Sequence, residues 1–324
     1  MRVHALLLTF ITAAALGTCA TNPVYSMPNA CSVGFCQTIV RGASVDLIVA
    51  DLNDPNLMVD IGLPTRGISH SETFGSFVNR DAPIAAVTGT YFDTRTLIPT
   101  GSIVVRGEMV HENSIGAAVC FTPDNRVKFV DASYGAACDL SGAESGMRTG
   151  PRLIANGAYA LNPGREGFHH PGLFGERTRM VLGVTAHSKL LLAHVRTPVT
   201  FGKAAGIMRT LGAVDAICLD GGTSSAMYYR GRIIQRPGRM LTNIIEIRER
   251  PAPQSPLAPA VVIKASSDGA AIQSAYGNRR VRISARPIRN QDEPKISEQV
   301  AVLAEPVRLR LAKGLHALFP VYGA

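Results

Sequence analysis

Apolar residues along this chain come in short runs of strand length, broken every few positions by glycine, proline or an Asn/Asp turn signal. The runs SVDLIVA and NLMVDIG, which open at Ser44 and Asn56, predict two strands parted by a turn at Asp54-Pro55. Ser71 followed by Glu72 predicts the start of a short helix that ends near Asn79-Arg80, and Pro83 to Val87 predicts a buried strand. Further strands are expected at Ser102–Arg106 and Glu108–His111, joined at Gly107, with a hairpin around Asp124-Asn125. Arg152–Ala155 follows Gly150-Pro151 and precedes the turn pair Asn156-Gly157. The Gly/Pro-rich stretch Asn162–Gly175 predicts a surface loop, followed by strands Arg179–Thr185 and Lys189–His194. Helical spacing appears at Ala204, Ile207, Met208 and Leu211, with Thr200 as cap and Gly212 as stop. It feeds a strand ending at Leu219, then a hairpin at Met227–Tyr229 and Arg232–Ile234, then a last strand at Leu241–Ile247. The expected fold class is α+β, with mixed, largely antiparallel sheets, a few packed helices and a basic C-terminal extension.

At 324 residues the chain can bury one large core, or one core with a small appendage. Arg2 and the apolar stretch Ala5–Gly17 form an export signal too short to span a bilayer, placing a signal peptide over residues 1–20 and the protein in the periplasm or outside the cell. Leu16-Gly17-Thr18-Cys19 matches a lipoprotein box imperfectly, so ordinary cleavage is preferred over lipid attachment at Cys19. Export permits disulfides, and sequence proximity suggests Cys31 with Cys36 and Cys120 with Cys138, leaving Cys218 as a buried apolar residue. The main domain is placed at residues 40–250, a Pro-rich linker at 251–259 (PAPQSPLAP) and a basic tail at 260–324. That tail carries ten Lys/Arg against five Asp/Glu and reads as an arm, loosely ordered or folded as a small β unit, able to touch an anionic envelope. Nucleic acid is excluded as a partner by the lack of any recognised binding motif and by export. The oligomeric state is left open.

The chemistry concentrates in LDGGTSSAMYYRG, Leu219 to Gly231. A strand there delivers Asp220 into Gly221-Gly222, with Thr223, Ser224 and Ser225 behind it. Paired glycines let backbone amides converge on one spot, and small hydroxyls add donors without bulk, a combination suited to an anion or a sugar. Thr88-Gly89-Thr90-Tyr91-Phe92-Asp93 again ends a strand in glycine and an acid. Arg152 and Arg179, if they converge on the glycine loop, would hold phosphate in the bidentate way that guanidinium suits; otherwise they are surface ion pairs. Asp93 in turn either acts on substrate or closes a turn after Phe92. Gly222-Thr223-Ser224-Ser225-Ala226 is one residue from a serine-hydrolase elbow, but the only histidine after it is His316, in the tail. The eight histidines give no zinc spacing, since only His169 and His170 are adjacent; a divalent cation such as Ca²⁺, held by a carboxylate loop, is the one cofactor considered.

Taken in order, these stretches resemble the phosphodiester glycosidase family. TGTYFD (Thr88 to Asp93) is similar to its N-G-G-F-F-D-like segment, GPRLIANG (Gly150 to Gly157) to its G-P-x-L-x-x-x-G, RMVLGV (Arg179 to Val184) to its R-T-A-I-G, and CLDGGTSSAMYYRG (Cys218 to Gly231) to its N-L-D-G-G-G-S-S. The likeness runs from Ser44 to Arg248. Thr88 stands where the family usually has Asn, Thr90 where glycine is common, and Thr223 where a third glycine is usual. The resemblance implies hydrolysis of the bond between a sugar's anomeric carbon and a phosphodiester oxygen, on a phosphorylated anionic glycan of envelope or exopolysaccharide type. In that frame Asp220 acts on the anomeric centre or its water, with Asp93 or Glu176 as second carboxylate. Arg152 and Arg179 grip phosphate, while Thr88, Gly89, Gly221, Gly222, Thr223 and Ser224 line the site. The alternative is an exported protein that binds anionic envelope glycans without cleaving them.

Overall fold

The computed structural model describes residues 32–251, together with the backbone of 262–266 and 269–273. In chain order the body comprises β1 (Val33–Val40), β2 (Ala43–Asp51), β3 (Leu57–Gly62), α1 (Phe74–Asp81), β4 (Ala85–Thr88), β5 (Gly101–Val105), β6 (Glu108–Ser114), β7 (Ala117–Phe121), β8 (Val127–Val130), β9 (Ser145–Thr149), β10 (Arg152–Ala155), β11 (Ala158–Tyr159), β12 (Arg177–Thr185), β13 (Lys189–Val199), α2 (Phe201–Thr210), β14 (Ala213–Leu219), β15 (Met227–Tyr229), β16 (Arg232–Gln235) and β17 (Ile244–Glu249). A separate compact unit begins at Pro251, of which a two-stranded hairpin, β18 (Val262–Ser266) and β19 (Gly269–Gln273), is described. The expected signal peptide, Cys19, Cys31 and His316 lie outside the described residues.

The body's strands form three sheets, ordered β1-β2-β13-β12-β14-β10-β11, β16-β15-β4-β17-β3 and β6-β5-β9-β7-β8. Their pairings are antiparallel throughout, giving the α+β class. One core is shared by all three, with Ile48, Leu182 and Leu219 from the first sheet, Val59, Val87 and Ile245 from the second, and Ile103, Val119 and Met147 from the third. Alternate residues face outward and need covers of their own. Helix α2 lays Ala204, Ile207 and Met208 over Leu47, Val49 and Val181, and α1 lays Phe74, Phe77 and Val78 over Ala86 and Ile244. The third sheet is covered by the segment that carries Leu140 and Ala143. Strands buried on both faces read as unbroken apolar runs, which is why SVDLIVA lacks strict alternation.

Local signals acted as expected at most boundaries. Thr200 caps α2 by accepting from the Lys203 amide at 3.3 Å. Asn156 and Gly157 both take positive φ, 49° and 79°, as a two-residue hairpin turn requires. The first helix, expected from Ser71, starts later: Thr73 is its cap, accepting from Ser76 at 3.1 Å, because Glu72 is drawn into a β-bridge with Leu241. The loop Asn162–Gly175 is not all surface, since Glu166 and Phe168 are buried. Among the described cysteines no disulfide is formed. Cys218 is buried in β14, where burial pushes its thiol up to about 12. Among the described residues, no helix is long and apolar enough to cross a membrane.

Beneath α1 one feature runs against ordinary burial. Glu246 on β17 is 0% exposed and neither carboxyl oxygen has a hydrogen-bond partner. Asp60 of β3, Asp81 at the end of α1 and Arg248, 3.6 Å from Glu246, face it. Burial first, and the neighbouring Asp81 next, push the Glu246 carboxyl above its ordinary value of 4.5. Above that value the unfolded chain releases a proton that the native state keeps, so this group lowers stability as pH rises. Glu246→Gln is therefore expected to be more stable than the parent at pH 8 and to remove up to about 1.4 kcal/mol per pH unit of its pH-dependent loss. Urea unfolding from pH 5 to 8 checks this; a variant weaker at every pH would disprove it.

Candidate active site

The ends of β4 and β14, which lie in different sheets, meet where the Asp220 amide donates to the Gly89 carbonyl at 2.9 Å. Such an approach leaves no room for side chains. A Cβ on Gly89 would lie 2.0 Å from the Asn243 Oδ1, and one on Gly221 would lie 2.9 Å from the Thr178 carbonyl on β12. Asn243, at the entry to β17, fastens the β4 exit from the other side. Its Oδ1 accepts from the Thr90 amide at 2.7 Å, and its own backbone carbonyl accepts from the Gly89 amide at 3.3 Å. Gly222 then takes φ +57° and starts a 3-10 turn, Gly222–Ser224. Thr88 is buried at the end of β4, paired to Ile244.

Asp220 is half-buried at the head of this turn. Burial raises its carboxyl to about 6, while the Ser224 hydroxyl, the Arg239 charge and the Gly221 amide oppose that rise by stabilising the ionised form. Arg239 is exposed on the loop after β16 and donates to the Thr223 hydroxyl, while Gly238 on the same loop donates to the Thr223 carbonyl at 2.7 Å. Neither Arg239 nor Asn243 stood out in the sequence. Both lie in a polar stretch with no glycine-acid signature, and only the return of that loop over Thr223 makes them part of the site.

Tyr91 lies within reach of the charges of Asp220, Arg179 and Glu166, and burial holds its hydroxyl well above the usual value. Its ring tilts against Phe168 at 5.4 Å. Arg179 is buried over the Phe201 ring at 4.0 Å, its guanidinium donating to the carbonyls of Leu173 (2.8 Å), Gly175 (2.6 Å) and Val199 (3.1 Å). Among the described residues no carboxylate lies within ion-pair distance of it, so its charge lacks a counter-ion.

Other expected members of the site are placed elsewhere. The Arg152 guanidinium is committed to Asp131 (3.1 Å) and Asp215 (2.5 Å) and stacks on Phe129. Asp215 is at the opposite end of β14 from Asp220, so Arg152 does not share the cradle. Asp93 accepts from the amides of Arg95 and Thr96 at 2.8 and 2.9 Å and closes the turn after Phe92. Glu176 is exposed at the foot of β12. The buried carboxylate of this region is instead Glu166, which accepts from the amides of Arg152 (3.0 Å) and Ala117 (3.2 Å) and is pushed up to about 7, chiefly by burial. Among the described residues no group of three or more His, Cys, Asp or Glu converges as a metal site.

In this arrangement one acid stands in a glycine-serine turn with the Arg239 charge acting on it. A sequence profile described as phosphodiester glycosidase matches residues 81–255, more than half of the chain. The chain belongs to the phosphodiester glycosidase family. Its fold is similar to that of a hypothetical protein from Synechocystis (TM-score 0.60, 14% identity), covering 68% of this chain and 62% of that one. It is also similar to the zebrafish N-acetylglucosamine-1-phosphodiester alpha-N-acetylglucosaminidase catalytic domain auto-inhibited by pro-peptide (TM-score 0.56, 18% identity), covering 71% of this chain and 87% of that one. No curated protein matches the chain.

Two of the departures from the family pattern have structural uses. The Thr90 hydroxyl donates to the Arg148 carbonyl at 2.7 Å, and Thr223 supplies the hydroxyl that receives Arg239. The absence of space at Gly89 has a direct consequence. Gly89→Ala is expected to lower stability by about 1–3 kcal/mol or more, and the loss should shrink when combined with Asn243→Ala, which removes the obstructing amide. Urea unfolding of the single and double variants tests the clamp; strictly additive losses would show that the two residues do not oppose each other.

Proposed function

We propose that the chain is an exported hydrolase that cleaves the glycosidic bond between a sugar and a phosphodiester on envelope or exopolysaccharide-type glycans. Family membership supports phosphodiester glycosidase activity in general. Arg2 and the apolar segment after it support export. The observation that carries the chemistry is Asp220, the single carboxylate in the glycine-serine turn, with Arg239 beside it and the unpaired charge of Arg179 nearby.

Water adds to the anomeric carbon, the bond from that carbon to the bridging oxygen breaks, and the oxygen leaves with phosphorus as a phosphate monoester. A phosphate oxygen leaves without prior protonation, so a second carboxylate acting as strong acid is dispensable. This is consistent with Asp93 closing its own turn and with Glu176 standing exposed at the foot of β12. What the site must supply is neutralisation of the phosphate and a base or nucleophile for the anomeric centre. Arg239 and Arg179 serve the first need and Asp220 the second.

The test is a screen of sugar-1-phosphodiesters, with and without chelator, reading free sugar and its anomeric form. Asp220→Asn is expected to reduce kcat by about 10²–10⁴-fold while raising Tm, since it removes a carboxylate whose ionisation opposes burial. Arg239→Ala should raise KM about tenfold or more. Because Asp220 must be ionised to act, kcat/KM should rise with pH through about 6. No sugar release from any phosphodiester by the parent, with binding retained, would replace this reading with glycan binding alone.

A further inference from the structure

Cys120 and Cys138 pack in one small apolar cluster on the outer face of the third sheet. Cys120 sits on β7, 2% exposed, and its sulfur lies over Gly146 of β9, where an added Cβ would come within 3.2 Å of it. Cys138 belongs to the segment between β8 and β9 and packs on the same small cluster as Val104, Ala118, Cys120, Leu140 and Ala143. The register brings the two segments side by side. Lys128 stands directly across from Cys120 on β8, and its Nζ reaches Asp139, the neighbour of Cys138, at 3.3 Å. The segment does work beyond covering apolar surface: the carbonyls of Ala136 (2.8 Å) and Ser133 (3.3 Å) accept from the buried Arg148 guanidinium. The Arg148 carbonyl in turn receives the Thr90 hydroxyl beside the site.

We propose that Cys120 and Cys138 are a disulfide-forming pair that locks the β8–β9 segment over Arg148 when the protein enters an oxidising compartment. The proposal takes its compartment from the export reading above. Cys138 is the half-exposed member of the pair, so it is the thiol that an external disulfide reaches first; burial raises both thiols above their ordinary value, with the Arg148 charge opposing the rise at Cys138. Its thiolate attacks a sulfur of an external disulfide and expels one thiol. The Cys120 thiolate then attacks the Cys138 sulfur of the mixed disulfide and expels the second. Two protein thiols are oxidised to one S–S bond, and one external disulfide is reduced to two thiols.

The full chain, purified with reductant and then equilibrated with oxidised glutathione, is alkylated and mapped by non-reducing digestion. One peptide linking Cys120 to Cys138 is expected, together with a Tm about 6–12 °C above that of the reduced protein, from the size of the loop closed. Cys120→Ala/Cys138→Ala, which keeps the cluster apolar, should match the reduced protein's Tm and lose this linkage. Both residues alkylated in the native oxidised protein, glutathione held on Cys138 without bridging, or a bridge to a different cysteine would each overturn the proposal. Cell fractionation tests export separately: a cytoplasmic chain that still forms the bond in glutathione removes the compartment but leaves the pairing intact.

Discussion

The contact on which the site depends is a single backbone hydrogen bond, from the Asp220 amide to the Gly89 carbonyl, where two sheets touch at their strand ends. Backbones come that close only when nothing projects between them. Gly89 and Gly221 provide that clearance, and the Asn243 amide then satisfies the polar groups that the junction would otherwise leave buried and unpaired. Asp220 is thus presented by a rigid corner and not by a mobile loop, with Ser224 held beneath it by the same turn.

Charge is distributed on the same logic. Arginines that meet carboxylates, such as Arg152 with Asp131 and Asp215, act as fasteners. Arg148 and Arg179 are buried against carbonyls instead, which accept from all three guanidinium nitrogens of Arg148 and from two of Arg179 but leave positive charge inside the protein. A buried cation without a counter-ion is costly to maintain, and in the function proposed above an anionic substrate group offsets the Arg179 charge. Asp220 bears the opposite strain, an acid whose ionised form is disfavoured by its surroundings until Arg239 and Ser224 support it. The same economy is absent at Glu246, a buried acid with no hydrogen-bond partner, only the Arg248 charge 3.6 Å away, and no place in the chemistry proposed.

Much of this was legible in the chain. Strand-length apolar runs, turn pairs such as Asn156-Gly157 and the Thr200 cap are local, because they depend on backbone preferences and on neighbours a few residues away. The glycine-acid loop around Asp220 was legible for a similar reason: glycines where positive φ or close approach is needed mark themselves. Family motifs in register then identified the family.

What the residues alone did not decide is which side chains share a space. Arg152 and Arg179 look alike in sequence, each at the start of a strand. The first turns to Asp215 at the far end of β14, while the second packs on Phe201 near Tyr91. Glu166 is buried although its segment reads as surface, and Arg239 reaches the cradle from a loop with no distinguishing composition. Glu72 left the first helix because Leu241, far along the chain, offered a backbone partner. Conformation and candidate chemistry are properties of short segments, so the sequence by itself determined them. Partnership is settled by burial and by competition among distant groups for the same hydrogen bonds and charges, so only the tertiary structure decided it.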